Sequence, residues 1–219
     1  MNSEGSITSN ERALVVVSNL VTHGRSDLRW LYQFIEHSGV KLTDMILGSR
    51  YRHFHKLVGE PATLTNFLTT LAALTNEDSL QAIDVILHLH GDEKVLFFED
   101  GEYSTESIKQ ELLELNHRHK LRMLYSTGCY GKHHAVDLVA GGFKVACGAI
   151  ATNANAATEY PTFLTLWAAG SKFKEAIAAG DIALTRIPQD RAAKAMGFAD
   201  ADSTKTIIGD GNLTIKSGV

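Results

Sequence analysis

The chain has 219 residues, 44% apolar and 21% charged, with a formal charge of −4. That balance suits one soluble domain over 1–219 and leaves no electrostatic footprint for nucleic acid or an anionic membrane surface. With two cysteines, three prolines and no apolar run near the ~20 residues of a membrane helix, neither a disulfide framework nor a membrane span is expected. The polar stretch 1–11 lacks a secretory signal core and reads as a flexible N-terminal tail, so a reducing, cytoplasmic setting is expected.

Strand-like and helix-like segments then alternate along the chain. Residues 13–18 are almost wholly apolar, as a strand covered on both faces should be. Ser26 caps a helix whose Leu28, Leu31, Tyr32, Phe34 and Ile35 share a face, and Gly39 is expected to end it. A weak strand is expected over 44–47. The single basic cluster, 50–56, reads as a solvated surface segment. A helix from Pro61 to about Leu74 leads to a strand over 83–90 that stops at Gly91.

A small hairpin over 95–103 follows, then a helix capped by Ser104 and a strand over 121–125. Beyond it come a helix over 135–140, a strand over 143–150, and two or three helices between 160 and 196. The Asp210-Gly211 pair signals a closing hairpin over 206–215. The fold class is therefore α/β: a mostly parallel sheet of about six strands, helices on both faces, and a C-terminal hairpin.

Two buried strands end in reactive side chains beside glycine. One delivers His90 before Gly91, the other Cys129 in the turn Gly128-Cys129-Tyr130-Gly131. If they are parallel neighbours joined by the helix that Ser104 begins, both residues emerge at the carboxyl edge of the sheet, where α/β proteins place their sites. Cys129 between glycines presents its sulfur and its own N–H. Gly91, without a side chain, lets its N–H approach the same point, and two such donors make an oxyanion hole. The reading is acyl transfer: thiolate attack, with His90 protonating the leaving amine.

The run Val85-Ile86-Leu87-His88-Leu89-His90-Gly91, followed by Leu121-Arg122-Met123-Leu124-Tyr125-Ser126-Thr127-Gly128-Cys129, resembles the caspase, legumain and gingipain superfamily of cysteine peptidases. Ile208-Gly209-Asp210-Gly211-Asn212-Leu213 is similar to the Gly-Asp-x-x-Leu hairpin of its gingipain-type members, with Gly211 where proline is usual. The resemblance implies a three-layer α/β/α caspase-like fold and an endopeptidase acting on peptides or proteins without cofactor or metal. Carried over by residue, it gives His90 as acid/base, Cys129 as nucleophile, and the N–H groups of Gly91 and Cys129 as oxyanion donors. Arg25 falls where caspases and legumains place a specificity-pocket arginine.

Other readings stand beside these. Asp92 and Glu93 could form an acidic pocket for a basic side chain, and Asn153 and Asn155 could line the cleft. Cys129 could be a buried structural thiol, the chain then being a non-cleaving caspase-like binding module. His88, His90, His133, His134 and Cys129 could form the metal site of a hydrolase, although no ligand spacing supports one. His133 and His134 read more simply as solvated or helix-capping residues, Cys147 and Trp167 as core.

Overall fold

The computed structural model describes residues 5–219. Its centre is a sheet in the order β2 (His53–Val58), β1 (Arg12–Asn19), β3 (Ala82–Asp92), β6 (Leu121–Ser126), β7 (Val145–Ala149), β8 (Lys205–Gly209). Successive pairs are parallel except β7 with β8. A β4 (Val95–Phe98)/β5 (Gly101–Ser104) hairpin extends the end of β3.

Period-two alternation splits each central strand between two cores. In β1, Ala13, Val15 and Val17 face α2 (Leu64–Thr75), α3 (Thr105–Leu113) and α4 (Gly131–Ala140), which supply Phe67, Leu71, Ile108, Leu112 and Leu138. Leu14 and Val16 face the other layer, where α1 (Arg29–Leu47), α5 (Ala156–Ala169) and α6 (Phe173–Gly180) supply Leu47, Phe163, Trp167 and Phe173. A further helix, α7 (Ala183–Ala195), follows α6. The layers are thus α/β/α. Among the described residues no helix is long and apolar enough to cross a membrane.

Several local expectations differ from the structure, for tertiary reasons. Helix α1 continues through Gly39 to Leu47 and absorbs the expected strand over 44–47. Gly39 is not a stop; a Cβ there would lie 3.5 Å from the His88 ring, so the glycine lets helix and sheet approach closely. The basic cluster is solvated at Arg50, Arg52, His55 and Lys56, and much of it is also regular structure. Residues 53–58 form edge strand β2, with His55 and Lys56 exposed, a charged edge that discourages further pairing.

Residues 5–11 are not a free tail. Ile7 is buried, its N–H donates to the Lys216 carbonyl at 2.9 Å, and Ser6 bridges Ser217. The chain turns after β8, but the return arm forms no strand. Instead Phe173 and Lys174 N–H groups donate to the Leu213 and Gly211 carbonyls at 2.8 and 2.9 Å, and Leu213 and Ile215 enter the core. A fully buried Arg122–Asp84 pair, with N–O distances of 2.9 and 2.7 Å, holds this segment through Arg122 Nη1 to the Ile215 carbonyl at 2.9 Å.

Candidate active site

Strands β3 and β6 are parallel neighbours, so His90 and Cys129 leave the sheet at the same edge. Both line one cavity of about 240 Å³. The His90 Nε2 lies 2.8 Å from the Leu20 carbonyl oxygen, and the ring stands edge-on to Tyr32 with centroids 4.8 Å apart. A carbonyl only accepts, so Nε2 carries the proton and Nδ1 is left with the lone pair. The Leu20 peptide is held in turn: its N–H donates to the Glu36 carboxylate at 2.8 Å. Burial lowers the His90 pKa, partly offset by the Leu20 carbonyl, so the ring is neutral at neutral pH.

Cys129 is half-buried, and its Sγ accepts the Asn153 N–H at 3.5 Å. Burial pushes the thiol up; the Asn153 N–H and the Thr152 hydroxyl pull it partly back. Burial thus disfavours the thiolate and the imidazolium alike. The Cys129 N–H makes no hydrogen bond among the described residues and is free to donate. Helix α4 begins almost at once after the cysteine, so its positive end favours negative charge there.

The turn around the cysteine is braced on both sides. Tyr130 adopts the left-handed conformation (φ 54°, ψ 20°), uncommon for a bulky residue and a form of strain that collects at functional sites. Its N–H donates to the Ala151 carbonyl at 2.9 Å and its hydroxyl to the Asp200 carboxylate, which pushes the phenol up to about 12. Gly131 and Gly148 meet so closely that a Cβ on Gly148 would lie 2.1 Å from the Gly131 carbonyl carbon. A Cβ on Gly91 would lie 2.5 Å from His134 Cε1 and 3.0 Å from the Cys129 carbonyl oxygen. Only glycine fits there, which brings the backbone of β3 against the cysteine turn.

Of the residues singled out from sequence, the fold gathers His90, Cys129 and Asn153 at the cavity, with Gly91 behind them against the cysteine turn; Asn153 also donates from Nδ2 to the Thr127 carbonyl at 3.0 Å. Three others stand apart from the cavity. Arg25 pairs with Asp27 at 2.7 Å, donates to the Met196 carbonyl at 2.9 Å and lies over Phe198, outside the cavity wall. Asp92 is exposed, its carboxylate taken by the Glu93 N–H at 2.7 Å. Asn155 is buried at the start of α5, donating its N–H to Ser203 Oγ at 3.1 Å and accepting the Thr158 hydroxyl.

The histidines do not converge either. His88 is buried edge-on to Tyr160, and burial pushes its pKa down to about 3. His134 is neither solvated nor a cap: it is buried, and its Nε2 donates to the Asp92 carbonyl at 2.7 Å. Among the described residues no three His, Cys, Asp or Glu side chains are placed to hold a metal ion. Sequence reasoning missed Leu20, Glu36 and Gly148. For Gly148 there was a signal, a glycine inside an apolar strand.

No protein-family model matches the chain, and no curated protein matches it. Solved structures do. The Arg-specific cysteine proteinase gingipain R superposes with TM-score 0.64 at 15% identity over 98% of this chain, which spans 50% of the gingipain chain. The Drosophila initiator caspase Dronc gives 0.57 at 11% identity over 97% of this chain and 84% of its own. A secreted C11 cysteine protease from Bacteroides thetaiotaomicron gives 0.55 at 10% identity over 91% of this chain and 66% of its own. The chain has the caspase-like fold of these cysteine peptidases.

Proposed function

We propose that the chain is a cysteine endopeptidase working through a His90/Cys129 dyad. His90 Nδ1 takes the thiol proton as Sγ attacks the scissile carbonyl carbon, and the oxyanion is met by the N–H groups of Cys129 and Gly91. The C–N bond then breaks, His90 passes the proton to the leaving amine, and water hydrolyses the thioester to free Cys129. Each oxyanion donor is worth about 3 kcal/mol of barrier in comparable sites.

The observation that carries the reading is the shared cavity: a cysteine and a histidine from adjacent strand ends line it together, and the histidine's outer nitrogen is tied to a backbone carbonyl. The caspase-like fold of the peptidases it superposes on supports the same chemistry. The raised thiol pKa favours a second reading, a non-cleaving binding module of the same fold. A fluorogenic peptide library with an iodoacetamide-type probe decides between them. Turnover that disappears in Cys129→Ala establishes the peptidase. No turnover, with Cys129 labelling no faster than a free thiol, establishes the module.

A further inference from the structure

The cavity beside Cys129 contains no Asp, Glu, Lys or Arg in its lining. Its walls are Leu28, Leu31 and Ile35 from the α1 side and Ala193, Met196 and Phe198 from α7 and the segment after it. Five charged groups around it are already engaged. Arg25 and Asp27 pair with each other outside it. Glu36 accepts the Leu20 N–H. Asp200 accepts the hydroxyls of Tyr130 and Thr152. Lys205, beneath the cysteine strand, donates to the Ser126 carbonyl at 2.9 Å and pairs with Glu159 at 3.3 Å.

A neighbouring chamber of about 210 Å³, sharing Ile35, Thr127, Ala156 and Ala157 with the first, adds no charge. Among the described residues, the one buried polar side-chain atom there without a partner is Nε2 of His88, a ring that stays neutral.

Resting on the peptidase reading, we infer that this cavity is the primary specificity pocket and that it selects an uncharged aliphatic side chain, of the leucine or methionine class, on the residue whose carbonyl is attacked. That side chain is bonded to the carbon next to the one Sγ joins, so it must enter space that Cys129 itself lines. At about 240 Å³ the cavity is smaller than the ~300–1,000 Å³ of sites for whole small molecules. It is sized for one side chain. A guanidinium, ammonium or carboxylate inside would be stripped of water with no counter-charge, whereas an aliphatic chain gains by burial.

The test uses the full chain and a set of fluorogenic peptides identical except at the residue before the cleaved bond: Leu, Met, Phe, Arg, Lys, Asp or Asn. Leu or Met peptides are expected to exceed the charged ones by about 100-fold in kcat/KM. Ala157 is exposed on α5 at the cavity wall. Ala157→Glu should raise the Arg peptide relative to the Leu peptide by about tenfold or more.

Preference for Arg, Lys or Asp with activity still lost in Cys129→Ala would overturn the pocket assignment and leave the peptidase reading intact. An unchanged ranking in Ala157→Glu would also overturn it. Failure of all seven peptides, with no labelling of Cys129 by the matching peptidyl ketones, would remove the peptidase reading and this inference together.

Discussion

The His90 imidazole and the Leu20 carbonyl, 70 residues apart in sequence, meet at 2.8 Å because of sheet register. Strands β1 and β3 pair in parallel with Asn19 opposite Leu89. The next residue along each strand is Leu20 on one side and His90 on the other, so the pairing that builds the sheet also sets the partner that orients the ring. On the peptidase reading, no third catalytic side chain is required. A peptide carbonyl fixes the tautomer, and Nδ1 is left with the lone pair.

His90→Ala should therefore separate binding from chemistry. Peptide turnover should fall by about 10²–10⁴-fold, the usual worth of a positioned general base, while KM changes little. Labelling of Cys129 by iodoacetamide at high pH should persist, because it needs only a thiolate. Wild-type turnover in His90→Ala would sink the dyad.

The two cysteines should part company on alkylation. Cys147 is fully buried, its thiol pushed up to about 12, and should stay unmodified in the folded chain. Cys129 is half-buried and its thiol lies above the ordinary range. Its labelling rate should climb with pH past the ~8.5 of a free thiol, since only the thiolate reacts. The acid limb of kcat/KM should lie below the ordinary ~6.5 of histidine, because burial lowers His90 and the base must be neutral. Mass-spectrometric site counts across pH 6–10 check the first claim. A plateau of Cys129 labelling already at neutral pH would mean a preformed thiolate.

Glu36 touches no reacting atom, yet it holds the peptide that holds His90. Glu36→Ala should release the Leu20 N–H and lower kcat roughly tenfold, in line with about 1–2 kcal/mol for a charged hydrogen bond. KM should stay near wild type and the acid limb should move as the Leu20–His90 bond loosens. Glu36→Gln keeps an acceptor and should recover most of the loss. Equal damage from both substitutions, with an unmoved pH profile, would make Glu36 merely structural.

The parts legible in the sequence were those with a local cause. Long apolar runs marked β1, β3 and β6, although β3 does not stop at Gly91 but continues to Asp92, where it pairs with β4. What stayed hidden was set by distant contacts. Gly39 has the look of a helix stop, but its partner is His88 across a layer. Arg25 stood in the right loop for a pocket, but Asp27, its near neighbour, captured it. The Leu20 carbonyl has no sequence signature, because every residue carries one. His134 was read as solvated because nothing local announces that β3 and α4 close over it.

His88 gives the last test, through stability. Buried beside Tyr160, with the Lys205 cation adding to the effect of burial, its pKa falls to about 3 in the folded chain. The unfolded chain takes up that proton near 6.5. Stability is thus intact above pH ~6.5 and drains away on acidification toward 3, by up to about 1.4 kcal/mol per pH unit for this one group. His90 and His134, also lowered by burial, add to the loss with the same sign.

His88→Leu removes a ring whose Nε2 has no partner, so at pH 7 it should stay within about 1 kcal/mol of wild type. At pH 5 it should be the more stable of the two by about 1–2 kcal/mol. Urea unfolding of both proteins at pH 7, 6 and 5 measures this. A gap between them that does not widen with acidity would mean that the His88 ring is protonated in the native state.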